Sequence, residues 1–222
     1  MTEPSRERIR RRELLRGSDV YLVTEEALSA GRRSEEIAEA ALRAGVRVVQ
    51  VREKEGSARR ALEVAMNLRG LTRGYGALLI VNDRLDIAIA VGADGIHLGQ
   101  DDLPIELARR LLGPDALAGL SITDAGQLAE EDTLEADYLG VGAVFPTGSK
   151  GDAALTGLSL IVAARKATAA PVVAIGGINA ANASLAIAAG ADSLAVISAI
   201  TQAADPGRAV EALAAAVKEA RQ

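Results

Sequence analysis

Lysine is scarce in this chain. Of its 25 basic residues only four are lysines, at positions 54, 150, 166 and 218, and the rest are arginines. Two of the four stand among other polar groups. Lys150 lies in Phe145-Pro146-Thr147-Gly148-Ser149-Lys150-Gly151-Asp152, and Lys54 closes Gln50-Val51-Arg52-Glu53-Lys54. A lysine brings a compact point charge where an arginine brings a wide planar fork. In the first segment, backbone N–H groups around Gly148 and Gly151, the hydroxyls of Thr147 and Ser149, and the Lys150 ammonium compose a clasp for an oxyanion or phosphate. In the second, period-two alternation turns Gln50, Arg52 and Lys54 to one side. Carboxylates recur at Asn82-Asp83 and in His97-Leu98-Gly99-Gln100-Asp101-Asp102. Asp83 and Asp102 suit one hard divalent cation, magnesium for a phosphorylated substrate, with water and substrate oxygens completing its shell. Arg52, Lys54 and Lys150 would then stabilise negative charge on a departing group.

Each feature also has a plainer role. Asp83 after a strand can cap a helix. Asp101-Asp102 ahead of Leu103-Pro104 is a good helix start, so only one of the two need be a ligand. Gly176-Gly177 gives a turn its backbone freedom. His97, the chain's one histidine, reads as a packed or hydrogen-bonded scaffold residue rather than a general base.

These residues need elements that bring them together. Ala44-Gly45-Val46-Arg47-Val48-Val49, Gly92-Ala93-Asp94-Gly95-Ile96-His97, Glu135-Ala136-Asp137-Tyr138-Leu139-Gly140 and Gly190-Ala191-Asp192-Ser193-Leu194-Ala195 repeat one pattern: helix end, turn, strand. Four more apolar runs, at 20–23, 77–81, 117–120 and 172–175, lie between them and bring the strand count to eight. Helical periodicity follows each strand, over 33–44, 57–72, 84–91, 104–112, 124–134, 158–168, 180–189 and 206–219. Eight βα units in this length predict an α/β protein, a single-domain (β/α)8 TIM barrel. The alternative is an open doubly wound sheet. That fold would normally show a glycine-rich turn after the first strand, and Thr24-Glu25-Glu26 is not one.

In a barrel, the carboxyl ends of the strands meet at one mouth. Gln50 to Lys54, Asn82-Asp83, His97 to Asp102, Ser121, Thr147 to Lys150, Gly176-Gly177 and Ile197-Ser198 all fall at such ends. Gly177 and the strand 8 turn match the place where barrels commonly hold a phosphate. The 145–157 connection is long for its type and is expected to order over bound ligand.

Composition narrows the classes. At 222 residues and about half apolar, the chain fits one domain with a sizeable core. With no cysteine there is neither a disulfide framework nor thiolate chemistry. The net charge of -5 argues against nucleic acid as the main partner, and no apolar run reaches the length of a membrane span. The basic stretch Arg6 to Glu13 reads as a solvated helix rather than a transit peptide. The expected organisation is a helical extension over 1–18 and a barrel over 19–222, in a cytoplasmic protein.

Gln50-Val51-Arg52-Glu53-Lys54, Val81-Asn82-Asp83-Arg84, Gly95 to Asp102, Pro146-Thr147-Gly148-Ser149-Lys150, Ile175-Gly176-Gly177-Ile178 and Val196-Ile197-Ser198-Ala199-Ile200 resemble, in order and spacing, the motifs of the thiamine-phosphate synthase family. The similarity runs from about Asp19 to the C-terminus. It implies a magnesium-dependent transferase that joins hydroxymethylpyrimidine diphosphate to a phosphorylated thiazole, giving thiamine phosphate and diphosphate by a dissociative, carbocation mechanism. Carried over by motif, Gln50, Arg52, Lys54, Asn82, Ser121 and Lys150 would bind the pyrimidine diphosphate, with Arg52, Ser121 and Lys150 as the catalytic set. Asp83 and Asp102 would hold magnesium. Thr147, Ser149, Gly177, Ile197 and Ser198 would bind the thiazole phosphate. The partners implied are small molecules, with neither nucleic acid nor membrane, and a homo-oligomer is compatible with the resemblance. One position departs from it: the family often has Ser-x-His after strand 5, whereas this chain has Ser121-Ile122-Thr123. A related thiazole tautomerase, thought to use a histidine in that loop, is one alternative. A non-catalytic barrel that binds thiamine precursors is another.

Overall fold

The computed structural model describes residues 4–54, 57–148 and 155–222. The eight apolar runs become β1 (Val20–Thr24), β2 (Val48–Val51), β3 (Leu78–Asn82), β4 (Gly95–Leu98), β5 (Leu117–Ile122), β6 (Tyr138–Val141), β7 (Val172–Ile175) and β8 (Ser193–Val196). They pair in parallel and in sequence order, and β8 returns to β1, so the sheet closes into a barrel. Strands of such a sheet are covered on both faces and therefore read as continuous apolar runs. Around them lie α2 (Ser34–Arg43), α3 (Ala58–Gly74), α4 (Leu85–Val91), α5 (Ile105–Leu112), α6 (Glu131–Glu135), α7 (Gly157–Ala167), α8 (Ala183–Ala188), α9 (Ser198–Thr201) and α10 (Pro206–Ala220), with α1 (Arg6–Arg16) preceding the barrel.

The core divides into two clusters. The larger fills the shell between strands and outer helices, with Ile37, Leu68, Leu79, Ile96, Ile161 and Leu213 among its buried members. The smaller lies inside the barrel, where Tyr21, Val48, Leu78, Ile80, Leu117, Tyr138 and Val173 stack below the mouth. Leu15 of α1 belongs to this inner cluster, which places α1 across the amino-terminal end of the barrel.

Electrostatics fix that helix in place and explain the repeat. Asp94, Asp137 and Asp192, each just ahead of an even-numbered strand, accept the backbone N–H of Leu79, Ala118 and Val172 respectively, at 2.9, 2.8 and 2.7 Å. Each also pairs with an arginine from the preceding long helix, namely Arg69, Arg109 or Arg165. Each then meets an arginine of α1: Arg11 to Asp94 at 3.0 Å, Arg8 to Asp137 at 2.6 Å and Arg16 to Asp192 at 3.5 Å. The helix read as solvated is thus bound along the bottom of the barrel. The unit before β2 carries Arg47 in the aspartate's place, and Arg47 donates to the carbonyl of Val46 instead.

One helical segment differs from its reading. Residues 124–134 form a 3-10 turn, Ala125–Ala129, followed after Glu130 by the short α6. Asp124 and Gln127 build a reciprocal capping box on that turn, and extended Glu130 ends it. Of the 145–157 connection, residues 149–154, Ser149 and Lys150 among them, lie outside the described residues, and so does the middle of the expected lid. Its far end is anchored by Thr156, whose N–H and hydroxyl both donate to the carbonyl of Ala143.

Candidate active site

The barrel mouth opens into a pocket that mixes polar and apolar side chains. Of the residues expected there, Gln50, Arg52, Asn82, Ser121 and Ile197 line it. Arg52 is 5% exposed and ion-paired with Glu25, which stands just beyond β1. Among the described residues its Nε, also buried, has no hydrogen-bond partner. A buried guanidinium left with an unmatched donor is suited to receive an oxyanion. Lys54 is exposed at the rim. Glu53, between the two cations, turns away to accept the Ser34 hydroxyl at 3.2 Å. Burial, and then the charge of Glu26, push its carboxyl up to about 7.

Asp83 sits one residue past β3 with a φ of 59°, a left-handed backbone uncommon outside glycine and better tolerated by aspartate than by most residues. Its N–H donates to the carbonyl of His97 at 2.9 Å, which carries the β3–β4 pairing one residue beyond Asn82. Burial and then the charge of Asp102 push the Asp83 carboxyl up to about 6, while Lys54 and Arg52 pull it down. The two carboxylates therefore face each other beside two cations. Asp102 also accepts the N–H of Gly99 at 2.7 Å, closing its own turn. Among the described residues no three His, Asp or Glu side chains converge on one point, so a cation here would have two protein carboxylates and would take its other ligands from substrate and water.

The pocket floor is a hydrogen-bonded chain. Gln50 Nε2 donates to Tyr21 Oη at 2.8 Å, and Tyr21 Oη meets Tyr138 Oη at 3.1 Å. Tyr138 Oη reaches His97 Nδ1 at 3.1 Å, and His97 Nε2 reaches Ser121 Oγ at 2.9 Å. Glycines inside the strands make the room. A Cβ at Gly119 would come within 2.1 Å of the Tyr138 ring, and one at Gly140 within 2.8 Å of the His97 ring. Burial raises both phenols well above their ordinary pKa, so they stay protonated. His97 is indeed a hydrogen-bonded residue, stacked on Tyr138 with ring centres 5.4 Å apart.

On the opposite side, Gly176 and Gly177 have φ of 99° and 65°. Space is short as well: a Cβ on Gly177 would lie 2.4 Å from the carbonyl of Pro146. Phe145 N–H donates to the carbonyl of Gly176 at 3.0 Å, so the start of the β6 loop is pinned to the end of β7. Thr147 is half-buried in this stretch. Ile197 and Ser198 follow β8, where Ile175 pairs with Ala195, and Ser198 opens α9.

Thr123 does not line the pocket. Its N–H donates to Gln127 Oε1 at 2.8 Å, within the capped turn after β5. Tyr21, Tyr138 and Glu25 were not among the residues singled out from the sequence. A signal for the tyrosines existed: the chain has only three, and two lie in strands near interior glycines, which mark close approach. Glu25 carries no comparable signal, because its pairing with Arg52 crosses two strand ends.

The closed barrel and its pocket define the class, a (β/α)8-barrel enzyme with its site at the carboxyl ends of the strands. A family model described as thiamine monophosphate synthase matches residues 20–200. The chain belongs to the thiamine monophosphate synthase family. It is 50% identical over 207 residues to a thiamine-phosphate synthase of Haloarcula marismortui, covering 91% of this chain and 98% of that one. It is likewise 50% identical over 206 residues to one of Moorella thermoacetica, covering 91% and 97%. A solved structure, a thiamine phosphate pyrophosphorylase from Pyrococcus furiosus, superposes with a TM-score of 0.85 at 38% identity, over 95% of this chain and all of that one. The chain is an enzyme that condenses pyrimidine and thiazole moieties to thiamine phosphate.

Proposed function

We propose that the condensation runs by departure of diphosphate first, with the carboxylate pair and the cations at the ends of β2 and β3 managing its charge. Gln50, Arg52, Lys54, Asn82, Ser121 and Lys150 bind the pyrimidine diphosphate. Thr147, Ser149, Gly177, Ile197 and Ser198 bind the thiazole phosphate. The C–O bond between the pyrimidine methylene and the diphosphate breaks, and its electron pair leaves with the diphosphate. The thiazole nitrogen then gives its lone pair to the methylene carbon, forming the C–N bond. No proton is lost from the reacting atoms, so no general base is required, and stabilising the leaving charge is the main task.

The observation that carries this reading is the facing of Asp83 and Asp102 beside Arg52 and Lys54. Two like charges held together under partial burial are relieved by a cation, and one or two carboxylates plus substrate phosphate is how magnesium is usually held. Magnesium bound there would supply Lewis-acid neutralisation of the diphosphate. Arg52, orphaned at Nε, donates to the same group, and Lys54 stands at its rim. The reading also takes the enzyme to work in the cytoplasm on small molecules. No helix among the described residues is long and apolar enough to cross a membrane.

A magnesium titration of thiamine phosphate formation tests it. Asp83→Asn is expected to raise the magnesium concentration needed for half-maximal rate by about tenfold or more, the worth of one lost charged ligand contact. In the wild type the requirement should rise as pH falls below about 6, where Asp83 gains its proton. An unchanged titration in Asp83→Asn would remove that residue from the metal site.

A further inference from the structure

The roles above leave the middle of the chain from Gln50 through Tyr21, Tyr138 and His97 to Ser121 unused. Its ends are the two residues set against the pyrimidine, so a role for the middle rests on that reading of the site. Every link joins groups of limited capacity. A phenol has one proton to give, and a neutral imidazole donates from one nitrogen and accepts at the other. Gln50 Nε2 donates to the Tyr21 oxygen, which leaves the Tyr21 proton for Tyr138. The Tyr138 proton then goes to Nδ1 of His97. A neutral histidine accepting at Nδ1 carries its proton on Nε2, and that N–H donates to Ser121 Oγ. The serine's own proton is left for the pocket. At the far end, Gln50 spends an N–H on Tyr21 and can offer its carbonyl oxygen. Turning the Tyr138–His97 link would move the imidazole proton to Nδ1 and turn the His97–Ser121 link with it, because a neutral imidazole carries a single proton.

We infer that Tyr21, Tyr138 and His97 form a polarity-setting relay: they hold Gln50 as an acceptor and Ser121 as a donor toward the pocket. Such a pocket selects a heteroaromatic ring with an exocyclic amino group on one side and an unprotonated ring nitrogen on the other. The three are positioning residues, acting through Gln50 and Ser121. The barrel is built around them, since a side chain at Gly119 or Gly140 would strike the Tyr138 or His97 ring. Nothing in the departure of diphosphate requires two phenols in the barrel interior, whereas fixing the direction of five hydrogen-bonding groups does.

Two measurements on the full chain test this. His97 is the sole histidine, so protein with isotope-labelled histidine shows one native imidazole in a proton–nitrogen correlation spectrum, provided any purification tag is removed. The expected result in the ligand-free enzyme near neutral pH is the Nε2–H tautomer; an Nδ1–H tautomer or an imidazolium would overturn the proposal. The second is kinetic. Tyr138→Phe keeps the ring and removes the hydroxyl. It is expected to raise KM for the pyrimidine diphosphate about tenfold, roughly the worth of one oriented hydrogen bond, to leave KM for the thiazole phosphate within about twofold, and to mix the His97 tautomers. Tyr21→Phe should act in the same direction and less strongly. Equal changes in both KM values, or none in either variant with the wild-type tautomer kept, would overturn it. The tautomer decides the direction of the relay whether or not the chain turns over; a wild type that forms no thiamine phosphate would strike the reading of the site instead.

Discussion

Glu53 shows how much the fold asks of single residues at this mouth. It sits between Arg52 and Lys54, yet its side chain faces Ser34 and the carboxylates of Glu26 and Glu25. Burial and those like charges hold its pKa at about 7 against 4.5 unfolded. The folded state therefore binds the proton more tightly than the unfolded one, and stability falls as pH rises from about 4.5 to about 7. Glu53→Gln removes this slope and keeps an oxygen for Ser34. Its melting temperature should match the wild type at about pH 4 and exceed it at about pH 8. A constant offset across that range would show that Glu53 titrates normally. Much of the site was legible at this scale. Gln50, Arg52, Asn82 and Ser121 stand out because polar residues at the ends of apolar strands must face a mouth or a partner. Glu25 did not, because its pairing with Arg52 crosses two strand ends, and the two strand tyrosines were marked only by their rarity and by the glycines near them.

The elements themselves were more legible than their fastening. Apolar runs bounded by helical periodicity identify all eight strands, since both faces of each are covered. The segment 124–134 failed as one helix because a strong cap at Asp124 and Gln127 closes a single turn. The repeated turn into each even-numbered strand was visible, but the purpose of its aspartate depends on partners far away in sequence, such as Arg8 and Arg109 around Asp137. Asp137 is 1% exposed, accepts the N–H of Ala118 and carries two ion pairs. Asp137→Ala strands both arginines and the amide, and is expected to cost about 3–5 kcal/mol by denaturant unfolding. Asp205→Ala, which removes the cap of α10 and an exposed ion pair with Arg208, should cost about 1 kcal/mol. Similar losses for the two would show that the aspartate–arginine sets beneath the barrel contribute no more than a cap.

At the scale of the whole molecule, the two ends of the barrel divide the work. The amino-terminal end is closed by α1 and by Asp94, Asp137 and Asp192 with their arginines, which supply rigidity. The carboxyl end gathers acids, cations and hydrogen-bond donors from strands spread over nearly the whole sequence. This one mouth couples loss of diphosphate to formation of the C–N bond in the mechanism proposed above. The direct measurement is to mix the full chain with hydroxymethylpyrimidine diphosphate, thiazole phosphate and magnesium, and to follow thiamine phosphate and diphosphate in the same vessel. Both are expected to appear together in equal amounts and to stop when magnesium is chelated. Diphosphate released without matching thiamine phosphate, or product formed at full rate without magnesium, would contradict that mechanism.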